Sequence, residues 1–99
     1  MVVKFEWDDE KNKENIRKHG LDFTEAWQIF DALLLTALDI KAEYGEDRFI
    51  GLGFLKNFVV VVVYTEPEEE TIRIISLRKA LKHERKQFEE TLRNRLGEG

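Results

Sequence analysis

Ile72-Arg73-Ile74-Ile75-Ser76-Leu77-Arg78-Lys79-Ala80-Leu81-Lys82-His83-Glu84-Arg85-Lys86-Gln87-Phe88 decides the fold. It opens with apolar, β-branched residues that suit a strand. At Arg78-Lys79 it changes, without Gly or Pro, to the helix formers Ala, Leu, Lys, Glu, Arg and Gln. A strand is therefore expected to run almost directly into a helix. Ser76, Arg78 and Lys79 lie at the junction with Glu84 and Arg85 one to two turns on, so donors, positive charge and a carboxylate meet there.

Within that strand the period of two places Ile72, Ile74, Ser76 and Arg78 on one face and Arg73, Ile75 and Leu77 on the other. Unless a bulge intervenes, Arg73 and Arg78 cannot serve one site. Arg78 is then the functional arginine and Arg73 an edge or salt-bridge residue. From Lys79 the helix carries an apolar stripe of Leu81, Phe88 and Leu92, with Leu96 beyond. Glu84 and Arg85 border the stripe where packing alone prefers apolar groups. They line a groove between helix and sheet, or they form an ion pair. Lys79, Lys82, Lys86 and Arg93 make a separate basic stripe, and His83 points away from the apolar side.

Upstream, Phe58 to Tyr64 shows no polar alternation, as suits a central strand covered on both faces. Arg48 to Phe54 puts Ile50, Leu52 and Phe54 on one face, with Arg48 in phase near the strand end. Gly51 and Gly53 opposite leave room for a helix to pack closely. Leu55-Lys56-Asn57 turns the chain between these two strands, and Glu66 to Glu70 with Pro67 makes the next turn. Leu33 to Leu38 reads as a strand followed by an acidic loop over residues 39–47. Val2 to Trp7 reads as the first strand.

Asp8 reads as an N-cap for a helix over residues 9–19, with acidic residues first, Arg17, Lys18 and His19 last, and Gly20 as a left-handed stop. Ile16 is the one large apolar residue of this helix, so it must dock by other means. Lys11, Asn15 and Lys18 fall on one line, facing a polyanion or an acidic partner, or simply solvent. Asp22 and Glu25 imitate a capping box for a second, short helix whose Trp27, Phe30 and Leu34, with Phe23 before them, serve as core.

The predicted order is β-α-α-β-β-β-β-α. It corresponds to a single α+β domain over residues 1–99, with a mainly antiparallel sheet of four to five strands, two N-terminal helices and one C-terminal helix. Residues 96–99 are expected to fray. Of the 99 residues, 42% are hydrophobic and 36% charged, the composition of a folded domain rather than a disordered chain. The absence of cysteine excludes disulfides and thiolate metal sites, and two widely separated histidines speak against a histidine metal cluster. The longest apolar run has seven residues where a membrane helix needs about 20. A cytoplasmic location is the expectation. Net charge is −4, unevenly spread: residues 1–70 hold 8 basic against 16 acidic side chains, whereas residues 71–99 hold 8 against 4. That asymmetry predicts a local basic surface, or a charged helix that merely keeps the chain soluble.

Phe5-Glu6-Trp7-Asp8 with Lys11, Asn15 and Lys18-His19-Gly20, then Phe23 and Ala26, then Arg48 ahead of Ile50-Gly51, and finally Arg73 to Ala80 with Glu84-Arg85, together resemble the BrnT-type toxins of bacterial toxin–antitoxin pairs. The resemblance runs from residue 5 to about residue 90. It implies a fold similar to RelE-type ribonucleases, metal-independent RNA cleavage without a cofactor, and inhibition by a BrnA-like ribbon-helix-helix antitoxin. A homodimer or a toxin–antitoxin hetero-oligomer is in keeping with such a pair.

Metal-free RNA cleavage needs a base for the 2′-hydroxyl, positive charge for the phosphorane and an acid for the 5′-oxygen. Arg78, with Arg48 or Arg85 beside it, suits the phosphate because a guanidinium stays charged and engages two oxygens. Glu84 is the first candidate base and His19 the second. Lys11, Lys18 and Lys79, with Ser76, are expected to bind RNA backbone. The competing reading is a non-catalytic module that binds protein or RNA through its basic C-terminal helix.

Overall fold

The all-apolar run forms the middle of a five-stranded sheet, where both of its faces are covered. It is β4 (Phe58–Glu68), flanked by β3 (Arg48–Leu55) and β5 (Thr71–Lys79), with β2 (Leu34–Asp39) and β1 (Lys4–Glu6) at the two edges. The order is β1-β5-β4-β3-β2, antiparallel throughout except for β1 against β5. The structure is a computed structural model that describes residues 3–32, 34–39 and 47–95. Leu33, Leu96, the tail at 96–99 and most of the acidic 39–47 segment lie outside the described residues.

Helix α1 (Asp9–His19) has the predicted bounds. The Asp8 carboxylate accepts from the N–H groups of Glu10 and Lys11, and Gly20 closes the helix at φ 69°. A short 3₁₀ turn (Phe23–Glu25) and α2 (Trp27–Phe30) follow, and α3 (Lys82–Arg95) ends the described chain. Val60, Val62 and Tyr64 of β4 pack with Leu21, Phe23, Ala26, Ile29, Ile74 and Leu77 into one buried cluster on the side of the N-terminal elements. On the opposite face Ile50, Leu52 and Phe54 meet α3, whose Phe88 is fully buried and lies edge-on to Phe54 with centroids 5.1 Å apart. The sheet is thus covered on both sides, the α+β arrangement expected from the sequence.

Several local expectations shift. The second helix stops at Phe30 after one turn, Leu34 belongs to β2, and Trp27 is half exposed while Ala26 and Ile29 carry the burial. The capping box is half made, because Glu25 pairs with Lys56 at 2.7 Å and only Asp22 caps, through the Thr24 N–H. The final strand keeps pairing through Lys79 and the Ala80 N–H still reaches the Val59 carbonyl, so α3 starts at Lys82 and Leu81 is left exposed. β4 likewise runs on to Glu68, and the turn is Glu69–Glu70. A Cβ at Gly51 would stand 2.8 Å from Leu34 Cδ1, so a side chain of the neighbouring strand takes that space, while α2 packs against β3 as expected.

Candidate active site

A β-bulge arranges the functional strand. Val63 lies opposite Ser76 but Tyr64 opposite Ile74, which leaves Ile75 as an extra residue. The phase of side chains reverses at that point, so Ile74 and Leu77, three apart, enter the same core. The bulge also brings Arg73 and Arg78 onto one face. Their partners on β4, Thr65 and Val61, are of the same parity, and the two arginines stand about 13 Å apart along the strand.

Beyond β1, which pairs only with residues 71–73, the outer edge of β5 is taken by a helix instead of a strand. Asn15 is the buried residue of α1, and its side-chain amide does the pairing. Asn15 Nδ2 donates to the carbonyls of Leu77 (2.8 Å) and Leu21 (2.9 Å), while its Oδ1 accepts from the Leu77 N–H at 3.1 Å. Asn12 secures the following turn by accepting from the Phe23 N–H at 2.8 Å and donating to Asp22 at 3.0 Å. The Thr24 N–H above all, and then the Asn12 amide, hold the Asp22 carboxyl below its ordinary range. A helix with almost no apolar face is thereby fixed along the edge of β5.

The seam between α1 and β5 is a chain of shallow hollows. One of about 570 Å³ is lined by Lys18, His19, Arg78, Lys79 and Leu81. The next is lined by Lys11, Glu14, Asn15, Lys18, His19, Ile75 and Ser76. A third, of about 520 Å³, takes in Trp7, Lys11, Arg48 and Arg73 along with Glu6 and Asp8. Lys11 and Ile75 are common to the second and third, and Lys18 and His19 to the first and second. Six cations and a histidine, with the carboxylates of Glu6, Asp8 and Glu14, therefore border three adjoining hollows that form a track along the seam.

Arg78 is held by Glu84 in a two-pronged pair, Nη1 to Oε1 at 2.8 Å and Nη2 to Oε2 at 2.9 Å. Glu84 Oε1 also accepts from the Leu81 N–H at 2.8 Å, the third-position glutamate of a helix N-terminus reaching back to its cap residue. The Arg78 hydrogen bonds above all, and then the Leu81 N–H, draw the Glu84 carboxyl down to about 2. The same pair raises Arg78 above its ordinary value. Lys79 Nζ lies 4.2 Å above the ring centroid of the exposed Phe58.

The predicted residues thus divide. Arg78, His19, Lys18 and Lys79 share a hollow, Ser76 and Lys11 continue from it, and Glu84 clamps Arg78 from α3. Arg48 lines the far hollow with Arg73, and Arg85 is exposed on α3 away from these hollows. Arg73 makes the salt bridge expected of it, to Glu6, and through the bulge it also lines the far hollow, as does Trp7. The three successive apolar positions Ile74, Ile75 and Leu77 around one polar Ser76 were the available sign of a bulge. Among the described residues no group of three or more His, Cys, Asp or Glu side chains converges on a metal position, and no helix is long and apolar enough to cross a membrane.

The fold is similar to the 1.1 Å crystal structure of the Brucella abortus ribonuclease toxin BrnT. The TM-score is 0.64 with 27% identity, over 82% of this chain and 100% of that one. No curated protein gives a significant match. Residues 7–84, from Trp7 at the third hollow to the Glu84 clamp, match the family model of the ribonuclease toxin BrnT of type II toxin–antitoxin systems. With the seam, the clamp and most of the sheet inside that span, the chain belongs to the BrnT family of ribonuclease toxins.

Proposed function

We propose that the chain cleaves RNA without a metal ion in the hollow bordered by Arg78, His19, Lys18 and Lys79. The observation that carries this reading is the meeting of a fixed guanidinium and an imidazole in one open, cation-lined hollow. His19 removes the proton of the ribose 2′-hydroxyl, whose oxygen attacks the adjacent phosphorus. The bond from phosphorus to the 5′-oxygen breaks as that oxygen takes a proton from water, leaving a 2′,3′-cyclic phosphate and a 5′-hydroxyl. Arg78, backed by Lys79, stabilises the extra charge of the phosphorane.

His19 is preferred over Glu84 as the base. A carboxylate drawn to about 2 by two guanidinium hydrogen bonds has little proton affinity at neutral pH, whereas imidazole as a side-chain type exchanges protons there. Glu84 instead holds Arg78 in place. Lys11, Lys18 and Ser76 lead the RNA backbone along the seam. The partner inferred for the antitoxin of this type II pair is a BrnA-like ribbon-helix-helix protein.

The test is cleavage of single-stranded RNA by purified protein in chelator. Arg78→Ala and His19→Ala are each expected to lower kcat by about 10²-fold or more with folding intact. A 2′,3′-cyclic phosphate end is expected on the product. Unchanged rates in both variants overturn the site, and loss of wild-type activity in chelator overturns the metal-free chemistry.

A further inference from the structure

The third hollow, about 13 Å along β5 from Arg78, has a composition that the cleavage step does not use. On the face of the sheet that carries it, Glu6, Arg73 and Thr65 lie opposite one another across β1, β5 and β4. Arg48 follows on β3, one step beyond the pairing of Phe49 with Tyr64. Thr65 is 1% exposed, and its hydroxyl has no hydrogen-bond partner among the described residues. Such a group is costly to bury and stands between two arginines. Glu6 engages only Nε and Nη2 of Arg73, at 2.8 and 2.6 Å, leaving further N–H donors on a group that has five. Lys11 adds a charge from α1. Trp7, half-buried against the core cluster, gives the hollow an aromatic wall.

Guanidinium and ammonium groups beside one indole are the components that hold a phosphate and stack a base. We propose that this hollow is a second nucleotide subsite, which takes the phosphate and base of a residue flanking the cleaved linkage. The inference rests on reading the Arg78 hollow as the cleavage site. Lys11, shared with the intermediate hollow, joins the two, and RNA spans them along α1. Lys11 and Lys18 are seven residues apart on that helix, about 10 Å, so both ends of the track are served by one rigid element.

Trp7 reports on its own occupancy once Trp27, half exposed on α2, is replaced by Phe. The probe is a single-stranded RNA hexamer made resistant to cleavage by 2′-O-methyl groups. Its binding is expected to change Trp7 emission in the Trp27→Phe protein. Lys11→Ala is expected to weaken hexamer binding several-fold and to raise KM for cleavable RNA more than it lowers kcat. Lys13→Ala, outside the seam, is expected to bind as wild type. Trp7→Ala is expected to lose about tenfold or more, with Lys11→Ala as the surface variant should the indole prove necessary for folding. Hexamer binding with unchanged Trp7 emission and unchanged affinity in Lys11→Ala, while cleavage persists, overturns the subsite and leaves the cleavage site standing. An affinity for 5′-AMP equal to that for the hexamer also overturns it. A protein that neither binds nor cleaves RNA overturns both.

Discussion

At the residue scale, Glu84 shows how one carboxylate serves stability and chemistry together. It closes the N-terminus of α3 through the Leu81 N–H and holds both outer nitrogens of Arg78. Its pKa lies at about 2 in the folded chain and returns to the ordinary value of 4.5 on unfolding. The folded value is depressed, so the stabilisation is complete above about pH 4.5 and disappears as pH falls toward 2. Glu84→Gln keeps the shape and removes the charge. It is expected to cost about 1–2 kcal/mol at pH 7, since bonds to charged groups are the stronger ones and this pair is partly exposed. The same variant is expected to flatten the acid limb of stability between pH 4.5 and 2. Urea melts of both proteins across that range provide the measurement, and parallel curves would mean that the clamp contributes nothing.

At the scale of elements, α1 is attached by polar groups where most helices use an apolar stripe. Asn15→Ala would leave the buried N–H and carbonyl of Leu77 without their partner, along with the Leu21 carbonyl. The expected cost is about 2–4 kcal/mol. Ile16→Ala, at a position 40% exposed, is expected to cost under about 1 kcal/mol. Denaturation midpoints of the two variants decide the matter, and a larger loss at Ile16 would show that the helix docks through its apolar residue after all. Glu70, at φ 59° in the turn before β5, is a contrasting case. Glu70→Gly is expected to gain about 0.5–1 kcal/mol by relieving a left-handed backbone, read as a higher thermal midpoint.

The bounds of α1 were legible because Asp8 and Gly20 act within four residues of themselves, and the central place of β4 because burial on both faces writes a continuous apolar run. That α1 needs some other anchor was also legible from its lone Ile16. Which group supplies the anchor was not, since Asn15 meets a backbone 62 residues away. The junction at Lys79 was misplaced by three residues because Lys, Ala and Leu favour a helix locally, while pairing with Val60 keeps Lys79 in the sheet. The bulge at Ile75 had the widest effect. It moved Arg73 to the face of Arg78, so a site inferred from strict alternation around Arg78 alone became one end of a longer track.

At the scale of the whole molecule, cations gather along one seam even though Glu6, Asp8 and Glu14 border it too. A chain of net charge −4 should repel RNA at long range, yet Lys11, Lys18, Arg78 and Lys79 border one seam. Local charge governs contact, because exposed charges beyond about 10 Å are screened at 0.1 M salt. Each phosphate neutralised on a single strand contributes about −0.7 to the slope of log affinity against log salt. Four such contacts predict a slope of about −2 to −3 for single-stranded RNA. Lys18→Ala, on the seam, is expected to reduce its magnitude by about 0.7, whereas Lys13→Ala, which lines none of the three hollows, should leave it unchanged; each lysine stands 3.6 Å from a glutamate, so position alone separates them. Titrations between 50 and 300 mM KCl give the slopes directly. A slope near zero, or equal losses at Lys13 and Lys18, would mean that RNA does not follow the α1–β5 seam. The expected difference would place the bound strand along it even in a protein whose total charge has the wrong sign.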